Sequence, residues 1–395
     1  MKHADPPKEN APITALSAPD NGGLLEINLS AIGENYQRLA REVGPSVEVA
    51  AAVKANAYGL GVAQVVPALY AAGCRRFFVA TRDEALELRP ILDHCAGGQS
   101  GSDSFIHLLN GPFTEDDAAL AAARISPIIN SLAQLTRWKS VIAAHQDAPP
   151  CVLQFDTGMS RYGMSLAEAQ RLAREPDLLS GVSVAFTMSH LANADAASDP
   201  HNAAQLAAFK AILACLPPGP SSIAASSGIF LGEHFHRDVV RPGYALYGGN
   251  PTPGRPNPMK PVIALYARMI QARIVPKGAE VGYGSTFRAA RESRIATLAI
   301  GYADGLLRSA GGKISVVHPA FPQIALPCVG RISMDSMAID ITDLPTAGLA
   351  ENTLFEIIGP HRPLDDVAAS LSTIGYEVLT SLGARHFRLY HEDRS

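Results

Sequence analysis

Between Leu24 and Gly248 the chain alternates short apolar runs with stretches in which apolar residues recur at three- and four-residue spacing. The runs fall at 48–53, 77–81, 105–110, 125–130, 151–156, 183–189, 221–226 and 242–247, and they read as strands. The stretches between them, among them 62–72, 82–92, 131–144, 165–174 and 203–215, read as amphipathic helices. Strand then helix, at a repeat of roughly thirty residues, is the βα unit, and about eight such strands close a parallel barrel. From Gly248 to Pro258 prolines and glycines crowd together, and prolines lack the donors a helix or inner strand needs. After this break the runs at 262–275, 295–301, 314–317, 324–329, 337–341 and 355–358 are strand-like, with few helices between them. One late helix is predicted over 366–373, with Val367, Leu371 and Ile374 on one face and Gly375 as its stop. The expected fold is α/β, a (β/α)8 TIM-type barrel over 24–250, a linker over 251–261 and a mostly β C-terminal domain over 262–395.

Composition narrows the partners. A chain of 395 residues with 47% hydrophobic content can bury a large core and a second, smaller one. A formal net charge of −4 provides no broad basic field, so neither nucleic acid nor an anionic membrane surface is an expected partner, and a small molecule is. Residues 1–23 are polar and interrupted by Pro6, Pro7, Pro12 and Pro19, which argues for a disordered leader rather than a signal peptide, and no run approaches a membrane span. Cys74, Cys95, Cys151, Cys215 and Cys328 are scattered, odd in number and lack a CxxC pair. They predict neither a disulfide framework nor a zinc site, and they fit a reducing, cytoplasmic setting.

The candidate chemistry lies where the runs end. Lys54 closes the run Ala50-Ala51-Ala52-Val53 and is followed by a turn bounded by Gly59. An ammonium there either escapes to water or enters a partly desolvated site, where its pKa falls and the free amine becomes a nucleophile or base. The active site of such a barrel lies at the C-terminal ends of its strands, where this chain has Lys54, Thr81, Asn110, Asn130, Asp156, His190, Ser226, Ser227 and Arg241. Any one of these could be a solvated loop residue. Together, a lysine, a histidine, an arginine and a serine pair point to an anionic ligand.

Several segments resemble motifs of one family. Ala52-Val53-Lys54-Ala55-Asn56-Ala57-Tyr58-Gly59, Asp156-Thr157-Gly158-Met159-Ser160-Arg161-Tyr162-Gly163 and Arg241-Pro242-Gly243-Tyr244-Ala245-Leu246-Tyr247-Gly248 are similar to motifs of bacterial alanine racemases, fold type III pyridoxal-phosphate enzymes. Val281-Gly282-Tyr283-Gly284, Gly301-Tyr302-Ala303-Asp304-Gly305 and Gly330-Arg331-Ile332-Ser333-Met334-Asp335 match others in the second domain, in order, and the resemblance runs from Leu24 to Tyr390. It implies an isomerase that interconverts L- and D-alanine with pyridoxal 5'-phosphate, in a homodimer with shared active sites. By resemblance Lys54 holds the cofactor aldehyde and is one of two bases, and Tyr283, contributed by the partner subunit, is the other. Two bases are needed because one alone would tend to return the proton to the face it left. Arg241 faces the pyridine nitrogen and His190 buttresses it; Tyr58, Ser227, Gly243, Tyr244 and Tyr376 take the phosphate. Arg161 contacts the cofactor's phenolic oxygen and the substrate carboxylate, Met334 offers that carboxylate a backbone N–H, and Tyr302 and Asp335 line the access corridor. No metal is implied.

The chain departs from the family pattern in two places. Where many members carry a carbamylated lysine two residues before the Asp-Thr-Gly-Met motif, this chain has Gln154, so Arg161 must be positioned by a neutral amide, another acid or a bound anion. Where an asparagine is common, it has Ser226. Four alternatives remain. A racemase of broader specificity, for serine or lysine, would differ at the corridor. A barrel decarboxylase would be expected to carry an acid at the position of Arg241. A non-catalytic pyridoxal-phosphate-binding protein would lack the β domain and Tyr283. A metal-dependent hydrolase would need more ligands than His190 and Asp156. Synthesis of D-alanine for peptidoglycan precursors and alanine catabolism are both compatible with the sequence.

Overall fold

The computed structural model describes residues 22–98, 103–113, 118–345 and 349–392, which fall into two compact units. The unit from Leu29 to Lys260 is the barrel. Its strands Ala51–Ala52, Arg76–Val79, Phe105–Leu108, Ile125–Ile129, Cys151–Gln154, Val184–Met188 and Ser221–Ser222 form one parallel sheet in sequence order. The short strand Val239–Val240 pairs in parallel with Glu48–Val49, one residue upstream of Ala51 in the same run. Ala50 N donates to Val240 O and Ala52 N to Pro242 O, both at 2.9 Å. On the other flank Asp238 N donates to Ser221 O and Arg241 N to Ala224 O, so the last strand joins both its neighbours and the sheet closes. Ala50, Phe78, Ile128, Val152, Phe186, Met188 and Val239 fill the interior.

The eighth run was expected at 242–247, and the strand is instead Val239–Val240. Pro242 has no amide to continue the ladder, and Ser226 Oγ captures the Gly243 and Ala245 amides, each at 3.1 Å. The 3₁₀ turn Tyr244–Tyr247 results, and it is buried on all sides, a case in which periodicity cannot separate strand from helix. The helices follow their patterns. Leu29–Val43 buries Ala31, Ile32, Asn35, Tyr36, Leu39 and Val43 along one stripe. Ser165 caps Leu166–Arg174 in a capping box with Glu168.

The second unit is a sheet of eight strands in the order Ser293–Leu298, Met337–Asp340, Phe321–Val329, Ser315–His318, Leu354–Ile358, Ile263–Val275, Gly23–Asn28 and Phe387–His391. Ser293–Leu298 also pairs with the long strand Ile263–Val275, closing a small antiparallel barrel. Two expectations are corrected here. Gly23–Asn28 pairs with Ile263–Val275 and Phe387–His391, so the barrel unit starts at Leu29 and not at residue 24. The cause is non-local, because Leu25 and Ile27 are fully buried in a strand whose antiparallel partner lies over 230 residues away in sequence. The late helix is Leu364–Ser370, ended by Ser372 at φ 59°, while Gly375 opens a further helix, Gly375–Ser381, and leaves Ile374 exposed. Of the expected leader, residues 1–21 lie outside the described residues and Gly23 begins a strand. Among the described residues no helix is long and apolar enough to cross a membrane.

Leu25→Ala should lower the stability of the full chain by about 2–5 kcal/mol in chemical denaturation, the usual result of a cavity at a fully buried leucine. A change below about 0.5 kcal/mol would show that this strand is not part of the second unit's core.

Candidate active site

The strand Ala51–Ala52 runs into a left-handed helical turn. Ala55, Asn56, Ala57 and Tyr58 all have φ between 53° and 55°, a conformation that disfavours each non-glycine residue by about 1–2 kcal/mol. The turn is held by Ala57 N to Val53 O (2.8 Å), Gly59 N to Ala55 O (2.7 Å), Val62 N to Asn56 Oδ1 (2.7 Å) and Ala55 N to Glu84 Oε1 (2.7 Å). Lys54, at its start, is partly buried. Burial pulls its pKa below the ordinary lysine range, Arg161 pulls it further down, and Glu84 opposes both.

Tyr58, at the end of the turn, is buried with its ring centroid 4.7 Å from that of Tyr247, whose hydroxyl donates to Ala52 O at 2.9 Å. Its hydroxyl lies so close to Gly243 that a Cβ added there would meet it at 2.3 Å, so only glycine fits.

Across the mouth stands Arg241, buried, its hydrogen-bond partners among the described residues all neutral. Its Nη1 donates to Ser222 Oγ, its Nη2 donates to Ser189 O at 2.6 Å, and His190 Nδ1 is 3.4 Å from Nη2. Burial pulls its pKa down to about 9, which leaves it charged near neutrality. Burial, then Arg241, Arg161 and Lys54, push His190 down to about 3, so this imidazole is neutral and presents a lone pair to the guanidinium. Ser226 Oγ, beside them, accepts two amides and retains its own proton to donate. Ser227 is half-buried on the same turn, and the buried ring of Tyr244 packs against Gly249.

The other strand ends are structural. Thr81 caps the helix Arg82–Cys95. Asn130 Nδ2 donates to Leu109 O at 3.0 Å, and Asn110 O accepts from Gln134 Nε2 at 2.9 Å. Burial alone would raise the Asp156 pKa, but the amides of Gly158, Ser160 and Met159 bind its carboxylate and hold it below the usual range. That turn, with Ser160 at φ 56°, projects Arg161 outward, its guanidinium 5.5 Å from the ring centre of Tyr162. Gln154 is buried, and among the described residues its Oε1 has no hydrogen-bond partner, so the neutral amide does not hold Arg161 here.

The C-terminal unit carries the remaining residues named from sequence. Tyr302 N donates to Ser333 O at 3.1 Å and Ala303 N to Met334 O at 3.0 Å, which brings the Gly-Tyr-Ala-Asp-Gly and Gly-Arg-Ile-Ser-Met-Asp segments together. Arg385 bridges Asp304 and Asp335, at 2.7 Å each. Tyr283 is 71% exposed, on a turn whose flanking Gly282 and Gly284 have positive φ and lie against Arg331. Tyr376, on Gly375–Ser381, is also exposed. Sequence reasoning missed Ser189, Ser222, Glu84 and the left-handed turn; only Glu84 had a sequence signal, the Thr81-Arg82-Asp83-Glu84 capping box.

Comparison with known proteins agrees with the geometry. The model of the alanine racemase N-terminal domain matches residues 27–251, and that of the C-terminal domain matches residues 262–390. Alanine racemase of Brucella canis is 44% identical over 382 residues, 93% of each chain. The catabolic alanine racemase of Rhizobium johnstonii is 44% identical over 377 residues, 95% of this chain and 97% of its own. Among solved structures, alanine racemase from Bartonella henselae with covalently bound pyridoxal phosphate is 42% identical, covers 94% of this chain and 100% of its own, and superposes with a TM-score of 0.87. The chain belongs to the alanine racemase family.

Proposed function

We propose that the protein interconverts L- and D-alanine with pyridoxal 5'-phosphate, using Lys54 and Tyr283 as the two bases. The observation that carries this reading is the mouth of the barrel itself: a buried arginine with only neutral partners, a neutral histidine against it, and a lysine held below its ordinary pKa. These residues fit the cofactor. Arg241 is a desolvated cation with no carboxylate among its hydrogen-bond partners in the described residues, and Gly243, bare of a Cβ, lets the Tyr58 hydroxyl come up against the backbone of the last turn. When bound, pyridoxal phosphate supplies an aldehyde that takes up the amine of an amino acid and a ring that draws off the electron pair left as the Cα proton departs.

The chain's own residues divide the remaining tasks. Lys54 Nζ, whose hold on its proton is weakened by burial and Arg161, would hold the aldehyde and would move the Cα proton on one face. The Tyr283 hydroxyl of the partner subunit moves it on the other. Arg241 would donate to the pyridine nitrogen and so would keep that nitrogen unprotonated, which would limit electron withdrawal and restrain side reactions. His190 fixes the guanidinium plane. Tyr58, Ser227, Tyr376 and the turn at Gly243 and Tyr244 would bind the phosphate. The Gly243 amide is engaged by Ser226 Oγ, so the Ser226 hydroxyl joins this set. Arg161, Met334, Tyr302 and Asp335 receive the substrate carboxylate and limit the side chain to a small one. Tyr283, Tyr302, Met334 and Tyr376 are each exposed on the C-terminal unit, and exposed large side chains of this kind are available to a partner subunit in a homodimer with shared sites. The five free cysteines suit a reducing cytoplasm.

Shared sites make complementation quantitative. Co-expressed Lys54→Ala and Tyr283→Phe chains, each inactive alone, should recover roughly a quarter of wild-type activity, because half the dimers are mixed and each mixed dimer has one intact site. No recovery in mixed dimers would place both bases in one chain. Arg241→Gln should cut racemisation by roughly 10²–10³-fold while the cofactor-free protein keeps its stability within about 1 kcal/mol or gains some. A loss of several kcal/mol would make Arg241 a structural residue. Since Gln154 cannot be carbamylated, removing dissolved carbon dioxide should leave activity unchanged, and a fall in depleted buffer would refute that reading.

A further inference from the structure

We infer that Glu84 is the positioning residue for Lys54: its carboxylate braces the left-handed turn that Lys54 begins and acts as that lysine's counter-charge. The inference rests on Lys54 being the lysine that holds the cofactor aldehyde, and it assigns a role to a residue outside the segments that resemble the family's motifs.

The two oxygens of Glu84 have different tasks. Oε2 accepts from Ala80 N at 2.8 Å and Thr81 N at 3.2 Å, closing the capping box of its own helix, Arg82–Cys95. A capping box requires nothing more. Oε1 leaves the helix and accepts from Ala55 N at 2.7 Å, the amide immediately after Lys54 and the first of the four residues at positive φ. A charged acceptor at that distance makes one of the stronger hydrogen bonds available to a backbone amide. It is placed where the chain must turn from extended to left-handed, the conformation that least suits alanine. The same turn ends at Tyr58, so one brace fixes both the amine and a phosphate ligand.

The charge has a second effect. Four groups face the Lys54 amine or lie on its turn: Arg161 from the loop after Cys151–Gln154, His190 from the end of Val184–Met188, Tyr58 from the turn itself and Glu84 from the helix Arg82–Cys95. Of the charged groups acting on Lys54, Arg161 favours loss of its proton and Glu84 favours its retention. Glu84 thereby limits how far the site can strip the lysine.

The test uses the full-length protein after cofactor removal. Stopped-flow absorbance follows the capture of added pyridoxal phosphate by Lys54 as a function of pH, and equilibrium titration gives the cofactor affinity. In Glu84→Gln the midpoint of the capture profile should move to lower pH, because a group that raises the Lys54 pKa is gone while Arg161 remains. Glu84→Ala should also weaken cofactor binding by roughly tenfold, the usual result of losing one strong hydrogen bond at a braced turn. Adding Ala55→Gly to Glu84→Ala should restore affinity, because glycine adopts positive φ freely, but should not restore the midpoint. A residue that acted only through the fold would leave the midpoint where it is, so an unchanged midpoint in folded Glu84→Gln overturns the inference. Hydrogen exchange of the wild-type protein covers the case in which the variants do not fold. The Ala55 amide should be protected although Ala55 is exposed, and fast exchange there overturns the brace. Lys54→Ala separates the two readings: undiminished capture in that variant means that the lysine was misassigned, whatever Glu84 does.

Discussion

The last strand of the barrel reaches the first through a few backbone hydrogen bonds, and the site exists because of them. Ala50 N to Val240 O and Ala52 N to Pro242 O join segments about 190 residues apart in sequence. Lys54 lies just beyond one segment and Arg241 within the other, so this seam sets the cation that would face a ring nitrogen beside the amine that would hold the aldehyde. It also brings Tyr58 against Gly243. Ser226 then ties the seam to the neighbouring strand through the Gly243 and Ala245 amides. A parallel barrel cannot make such contacts until it closes, since loop-closure entropy is incurred before any long-range pairing forms. The geometry of the site is therefore a late and cooperative property of the fold.

Closure gathers positive charge at the barrel mouth, where Arg241 is buried, Lys54 partly buried and Arg161 exposed. Lys54, Arg161 and Arg241 all act on His190, which is driven neutral, and Arg161 acts on Lys54 in turn. Repulsion of this kind destabilises the folded chain until an anion arrives, and it is an expected mark of a binding site rather than of a stability network. The partners of Arg241 are hydroxyl, carbonyl and imidazole, groups that orient a guanidinium without neutralising it. A carboxylate in place of Ser222 would stabilise the empty barrel and weaken the pull on a ligand.

Much of this was legible in the chain. Apolar runs fixed seven of the barrel strands, because strands buried on both faces read as continuous hydrophobic stretches. The polar residues that end those runs included Lys54, His190, Ser226 and Arg241, since a strand end is where a polar side chain can reach a mouth. The eighth strand was misplaced because 242–247 is buried all round and gives no period to read. The strand Gly23–Asn28 looked like the start of the barrel because its partners are distant in sequence. Ser189 and Ser222 carry no local signal; each matters only because Arg241 reaches it from another strand. Gln154 left three ways to position Arg161, a neutral amide, another acid or a bound anion, and its Oε1 meets no partner among the described residues, which disfavours the first.

The left-handed turn was illegible for a different reason. Positive φ is ordinarily announced by glycine, and Ala55-Asn56-Ala57-Tyr58 contains none; Gly59, at φ 83°, only ends it. The strain persists because each residue is fixed by something a glycine would not supply or would not hold as firmly. Glu84 engages the Ala55 amide, the Asn56 side chain receives Val62 N, Ala57 is fully buried, and the Tyr58 ring lies against Tyr247 with its hydroxyl on Gly243. Glycine at these positions would relieve the turn but widen the conformations open to the lysine before it. Strain that is over-determined by its surroundings is a means of holding one reactive atom in one place. Here the residue so held is Lys54, at the start of the turn.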